Sequence, residues 1–184
     1  MIIEQTKEQM REAIALHTGA AIKWIRLARS RVWSLPQGQI NELGNVAFDI
    51  NFKPAAFHRH ESWLTIDTDF NFVILSEAQV DKPILTVECQ FEAQYCLVEG
   101  FDPSESQIEA FQSANAVFNC WPFFREYVQS TVTRMNFPPP PVPFLRIVRK
   151  AEEPAPAEPH PSIAGGEQRV QRIVRSRRRK LAGA

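Results

Sequence analysis

Residues 84–111 read ILTVECQFEAQYCLVEGFDPSESQIEAF. The first half alternates. Leu85, Val87, Cys89, Phe91, Ala93, Tyr95 and Leu97 fall on one side; Thr86, Glu88, Gln90, Glu92 and Gln94 fall on the other. Successive side chains of a strand point to opposite faces, so Ile84–Leu97 is a strand with one apolar and one polar face. The period then changes. Asp102-Pro103-Ser104-Glu105 predicts a helix start, with an Asp cap, a proline in the first turn and an early acid. Ile108, Phe111, Asn115 and Phe118 follow at helical spacing. A half-buried sheet that hands over to helices is the fold this stretch predicts.

Upstream, three more strands are expected. In Trp63–Leu75, Leu64, Ile66, Thr68, Phe70, Phe72 and Ile74 share a face opposite Asp67, Asp69 and Asn71. Val46–Phe52 alternates as cleanly, and Lys53–His60 reads as a loop opened by Pro54. Ile22–Leu35 is rich in Ile, Val and Trp, but Arg26, Arg29 and Arg31 interrupt its alternation. A bulge or an edge position explains such a pattern. The loops between strands are too short for crossover helices, so the sheet is antiparallel, with one face buried and one wet. Before it, residues 4–17 predict a short helix in which Thr6 and Gln9 have capping-box spacing, Met10, Ile14 and His17 share a face, and Gly19 is the stop.

Downstream, Pro122 breaks the helix or begins a second one. Phe124, Tyr127, Val128, Thr131, Val132 and Met135 then form a continuous apolar stripe that ends before Pro138–Pro141. Strands followed by helices make an α+β layout. The domain reading is a helical extension over 1–19, the main domain over 20–150 and a disordered Pro/Ala linker with an Arg-rich tail over 151–184.

Composition narrows the function. Of 184 residues 44% are apolar and 23% charged, as in an ordinary soluble domain. Residues 1–150 carry 14 Lys+Arg against 17 Asp+Glu, and residues 151–184 carry 7 against 4, a mildly acidic body with a basic tail. The chain starts without the features of a signal peptide, and no apolar run is long enough to cross a bilayer, so a cytoplasmic protein is expected. Cys89, Cys96 and Cys120 lack metal-ligand spacing and read as free thiols. His58 and His60 read as a solvated loop, and Asp67 with Asp69 as a wet sheet face with no nucleophile beside it. No phosphate-binding glycine motif is present. The sequence therefore predicts no enzyme, no cofactor and no metal. Arg169–Lys180 is a solvated tail or a contact for a polyanion, with no interleaved aromatic residue to stack on bases.

One segment carries a resemblance. Trp121-Pro122-Phe123, Arg125-Glu126, Arg134 and Phe137-Pro138 stand at the spacing of the signature of the SecB chaperone family, which this segment resembles. Pro143-Phe144-Leu145 and Val87-Glu88-Cys89-Gln90 are similar to further family segments, and the likeness covers about residues 22–147. It implies a four-stranded antiparallel sheet with a long helix packed on it, and a homotetramer built as a dimer of dimers through that helix, here Phe124, Tyr127, Val128 and Thr131. It also implies an ATP-independent holdase that binds unfolded polypeptides, including preproteins for export, in apolar grooves. The groove candidates are Trp24, Trp33, Phe57, Trp63, Phe101, Phe137 and Phe144, at strand ends and loops. In export members an acidic sheet face docks the translocation ATPase SecA. Glu88 matches one of those acids, and Asp67 and Asp69 are candidates to extend the patch, whereas Ser30 and Ser34 stand where acids are expected. The family's final helix has no counterpart here. Two alternatives stay open: a dedicated chaperone of one client such as an antitoxin, and an adaptor whose tail contacts a polyanion.

Overall fold

The computed structural model describes residues 1–36, 46–76 and 79–151. In chain order the elements are β1 (Ile2–Gln5), α1 (Lys7–Gly19), β2 (Ala20–Ser34), β3 (Val46–His60), β4 (Trp63–Ser76), β5 (Gln79–Leu97), α2 (Glu105–Phe111), a π-helical turn (Gln112–Ala116), α3 (Val117–Arg134) and β6 (Arg146–Arg149). The expected linker and Arg-rich tail lie outside the described residues from 152 onward.

Four strands form one sheet in the order β2-β5-β4-β3, every neighbouring pair antiparallel. β2 lies beside β5, not β3, so β2 and β3 are the two edges. β4 alternates strictly along its whole length between half-buried and buried positions, as its sequence predicts. β2 shows why its own pattern looked broken. It is an edge strand, and its register shifts between Ile22 and Trp24 and again between Leu27 and Arg29. Each bulge adds a residue without a partner. The shifts leave Ile22, Ile25, Leu27 and Val32 opposite the apolar positions Tyr95, Ala93, Phe91 and Val87 of β5, and Arg26, Arg29 and Arg31 opposite the polar positions Glu92, Gln90 and Glu88. β3 runs further than expected. Lys53–His60 is strand, and Pro54 is accommodated at a register shift on this sheet edge, where a missing N–H costs no ladder bond.

α3 lies on the apolar face. The Phe124 ring stacks on Phe70 with centroids 4.6 Å apart and planes 16° from parallel. Trp121 meets Phe52 edge-on at 6.1 Å, and Tyr127 meets Phe91 edge-on at 6.4 Å. Val117, Cys120, Phe124, Val128 and Val132 are fully buried beneath the helix. Pro122 neither breaks nor starts a helix; it sits inside α3. The carbonyl that loses its donor belongs to exposed Phe118, where water can replace the bond. Asn136 ends the helix at φ 65°, the left-handed conformation asparagine tolerates, and Phe137 N–H donates back to Val132 O at 3.2 Å.

Other differences have local causes. Ser104, not Asp102, caps α2, because Ser104 and Gln107 form a reciprocal capping box. The π turn shifts the helical phase, so Ala114, Val117 and Cys120 turn inward while Phe118 turns out. Gln112, at 7% exposure, reaches from that turn to Ala56 O in the β3 bulge. The Thr6–Gln9 capping box forms as expected, but α1 buries Ala13, Leu16 and Gly19, not Ile14 or His17. β1 and β6 are additions that the sequence reading missed. They pair in parallel, Ile2 with Arg146 through Gln5 with Arg149. Buried Gln5 donates to Ala110 O at 2.9 Å. Residues 1–19 thus belong to the same unit as the sheet, which spans Met1–Ala151.

Gly19 ends α1 through a close approach. A Cβ placed there would collide with the Phe101 ring. Gly19→Ala, which in an open helix would add about 1 kcal/mol, is expected here to cost about 1–3 kcal/mol through overpacking. Urea unfolding measures it, and a gain in stability would mean that Phe101 does not press on the helix end.

Candidate functional site

The sheet's apolar face is covered unevenly. α3 crosses β5, β4 and β3, and between Trp121 and Val132 it seals what lies beneath it. Toward β2 the cover stops. Leu27 stands opposite Phe91, on which Tyr127 rests, yet Leu27 is 38% exposed. Ile22, on the same face of β2, is 49% exposed, and Ile25 and Val32 are half-buried. Phe123 is 46% exposed and lies one helical turn before Tyr127 on that flank of α3. An apolar flank, open to water, therefore runs between α3 and the edge strand β2. Among the described residues β2 has no neighbour on its outer side, so its backbone edge is also open. At the opposite edge Phe48, stacked on Phe72, is a second exposed aromatic on the inner face.

The other face of the sheet is polar and balanced in charge. Glu88, Glu92, Asp67 and Asp69 occupy it, and β2 sets Arg26, Arg29 and Arg31 beside them. Arg26 donates to Glu92 at 2.8 Å, and Arg29 and Lys53 lie 3.6 and 3.9 Å from Asp69. Gln90 donates to Asp69 at 2.9 Å. Burial and the facing Glu92 raise the carboxyl of Asp67 above its ordinary range. A shallow cleft of 530 Å³ crosses this face, lined by Arg29, Arg31, Lys53, Asp69, Glu88 and Gln90 among others. Glu88, Asp67 and Asp69 are thus together on one face, but Arg26, Arg29, Arg31 and Lys53 share it and no purely acidic patch results.

The seven aromatic groove candidates are not brought together. Trp24, Trp33 and Trp63 sit at outer-face positions of the sheet, with Arg26 over the Trp24 ring at 5.2 Å. Phe57, Phe101 and Phe137 pack against the core. Phe144 is 75% exposed, beyond the end of α3. Of the stripe on α3, Phe124 and Val128 are fully buried against the chain's own sheet, and Tyr127 and Thr131 are half-buried at its margin. Sequence reasoning missed Ile22, Leu27 and Phe123. The available signal was that β2 is an edge strand with two bulges, which leaves its apolar side chains beyond the reach of one covering helix.

His58 and His60 are exposed on β3, and Arg59 between them pairs with Asp102 and donates to Pro103 O at 3.3 Å, tying the loop ahead of α2. Among the described residues no three His, Cys, Asp or Glu side chains converge as a metal site would need, and no helix is long and apolar enough to cross a membrane.

With this geometry in hand, comparison with known proteins is informative. The SecB-like chaperone Rv1957 of Mycobacterium tuberculosis, solved in complex with a ChAD peptide from the HigA1 antitoxin, superposes with a TM-score of 0.63 at 24% identity, over 73% of this chain and 96% of that one. A protein of unknown function from Streptococcus agalactiae matches at TM-score 0.39 and 9% identity over 68% of this chain and 97% of that one, too slight a likeness to carry an argument. No family model matches the chain, and no curated protein sequence matches it. The fold is SecB-like: a four-stranded antiparallel sheet with its long helix laid across one face, preceded by an N-terminal helix.

The thiols in the core are shielded. Burial pushes Cys89 and Cys120 each up to about 12, and at Cys120 the neighbouring Thr68 hydroxyl offsets this only in part. Raised values mean that the folded state holds these protons more tightly than the unfolded state. Their contribution to stability is complete below pH 9 and is lost as pH rises toward 12. In a thiol-exchange assay at pH 8, half-buried Cys96 is expected to react first, and Cys89 and Cys120 only on unfolding. Three equally fast thiols would contradict the packing described.

Proposed function

We propose that the chain is an ATP-independent holdase that binds unfolded or extended polypeptide along the open flank between α3 and β2. The observation that carries this is the uneven cover of the sheet: a sealed aromatic core beneath α3, and Ile22, Leu27 and Phe123 left in water beside it. Large apolar side chains held open in a row offer contact that tolerates many sequences. The burial gain is about 25 cal/mol per Å² of apolar area, so tight holding needs a long contact, and several flanks acting together supply it. A homotetramer, a dimer of dimers, is part of the proposal. Because Phe124 and Val128 are taken up within the monomer, exposed Phe118 on the outward side of α3 is the apolar position a second copy would cover. Polypeptide as the ligand is supported by the fold shared with a chaperone solved on an antitoxin peptide.

Between preproteins for export and a dedicated client such as an antitoxin, the outer face favours the dedicated client. Docking SecA through acids needs a negative patch, and here Arg26, Arg29, Arg31 and Lys53 stand among Glu88, Glu92 and Asp69. We place the activity in the cytoplasm and treat contact with a polyanion through Arg169–Lys180 as a separate, weaker property of the chain.

Suppression of aggregation of chemically denatured citrate synthase, without nucleotide, tests the reading. Leu27→Asp and Phe123→Asp are each expected to weaken holding about tenfold or more, since burying such a side chain is worth about 1.5–3 kcal/mol. Trp33→Asp, on the outer face, is expected to leave it unchanged. No suppression by the unaltered chain, or sensitivity at Trp33 in place of Leu27, would overturn the assignment.

A further inference from the structure

The flank of α3 that faces β3 is not open. Residues 138–145, PPPPVPFL, lie along it without joining a strand, and Val142 N–H donates to Pro140 O at 2.9 Å, closing a tight turn at Pro141. Three α3 side chains at positions i, i+4 and i+8 hold this strap. Trp121 Nε1–H donates to Pro143 O at 3.0 Å, Arg125 Nε–H to Val142 O at 3.1 Å, and Gln129 Nε2–H to Pro140 O at 3.3 Å. The strap therefore runs antiparallel to the helix. Pro140, Val142 and Leu145 turn inward and are buried, while the Arg125 guanidinium lies 4.6 Å from the centre of the Phe144 ring. Trp121 completes the floor. It is 3% exposed, and its ring meets Phe52 and Phe70.

Every one of the three donors addresses a backbone oxygen. None addresses a side chain of the strap. Such a ladder reads the path of the backbone, here carbonyls on either side of a turn at Pro141, and not the side chains. Proline suits it twice. It brings no N–H that would be left without a partner against the helix, and its ring fixes φ before binding. The two flanks of α3 thus differ in chemistry: bare apolar surface toward β2, ordered carbonyl recognition toward β3.

We propose that the β3-side flank of α3 is a second polypeptide-binding site, specific for proline-rich chain, which residues 138–145 occupy until such a chain displaces them. The strap is tethered at both ends, by α3 and by the pairing of β6 with β1, so it competes at an effective concentration in the millimolar range. A free peptide of equal quality reaches the site only at comparable concentration, or where the strap is weakened. The proposal shares with the function above the idea that the ligand is polypeptide, but it uses the opposite flank and other residues, so the two fail separately.

The test uses the full chain and a dye-labelled peptide of sequence PPPPVPFL. Val142→Asp, which drives the strap out of its apolar seat and leaves the three donors intact, is expected to bind the peptide about tenfold or more tightly than the unaltered chain, as removal of a tethered competitor requires. Adding Arg125→Ala and Gln129→Ala is expected to abolish that gain. Equal peptide affinity in a folded Val142→Asp chain overturns the proposal, as does a gain that survives loss of both donors. The unaltered chain supplies a measurement that does not depend on how the variants fold. Millimolar peptide must shift the indole N–H resonance of Trp121, and a resonance that stays in place overturns the proposal. Loss of holding in Leu27→Asp with peptide binding intact leaves this site standing, whereas peptide binding lost with holding intact removes it and spares the function above.

Discussion

The stack of Phe124 on Phe70 is the contact on which the remaining structure turns. It fixes one helix across the middle of a four-stranded sheet at 4.6 Å between rings, with Trp121 and Tyr127 resting on Phe52 and Phe91 to either side. An α-helix with its side chains is about 10–12 Å wide, and four strands spaced about 4.8 Å apart are wider than that. One helix cannot cover such a sheet, so both flanks must be dealt with in some other way. On the β3 side the chain folds its own proline-rich strap into the gap. On the β2 side nothing among the described residues fills it, and Ile22 and Leu27 stay wet. The candidate site is what remains when a wide sheet has a narrow cover.

The edge strand that borders this gap is built by its two bulges. Without them, Arg26, Arg29 and Arg31 could not all share one face while Ile22, Ile25 and Leu27 share the other. The same shifts shape both faces of the strand. They align the apolar side chains along the flank, and they lay cations beside Glu92, Asp69 and Glu88 on the outer face. Bulges and charged side chains are also the devices that keep a free sheet edge from pairing at random. A strand that must keep its apolar face available has particular need of them.

Much of this was legible in the sequence, and the parts that were not share a cause. β4 and β5 are central, and a strand with one buried face writes strict alternation into its residues; both were read correctly on that basis. The apolar stripe from Phe124 to Met135 was equally clear. β2 reads as a strand with a bulge or an edge position, and it has both; only the places of the bulges are illegible, because a bulge moves the phase and no local signal marks where. Lys53–His60 reads as a loop because proline argues against strand, and the argument fails on an edge. Phe118 was placed inward because a helical count does not anticipate the π turn before it. The pairing of β1 with β6 joins residues more than 140 apart, which no periodicity reports. The groove aromatics were chosen as residues least assured of burial, which is a property of single positions. Trp24, Trp33 and Trp63 meet it on the outer face, away from the open flank. A site depends on which neighbours are missing, and that is set by strand order.

The most direct test of the account is a map of where an unfolded polypeptide sits on the chain. Photo-cross-linking from a reduced, carboxymethylated protein, read by mass spectrometry, would give it. The account predicts adducts on Ile22, Ile25, Leu27 and Val32 of β2 and on Phe123 and Tyr127 of α3, with the outer-face residues Trp24 and Trp33 spared. Adducts confined to the outer face, or scattered without preference, would contradict it.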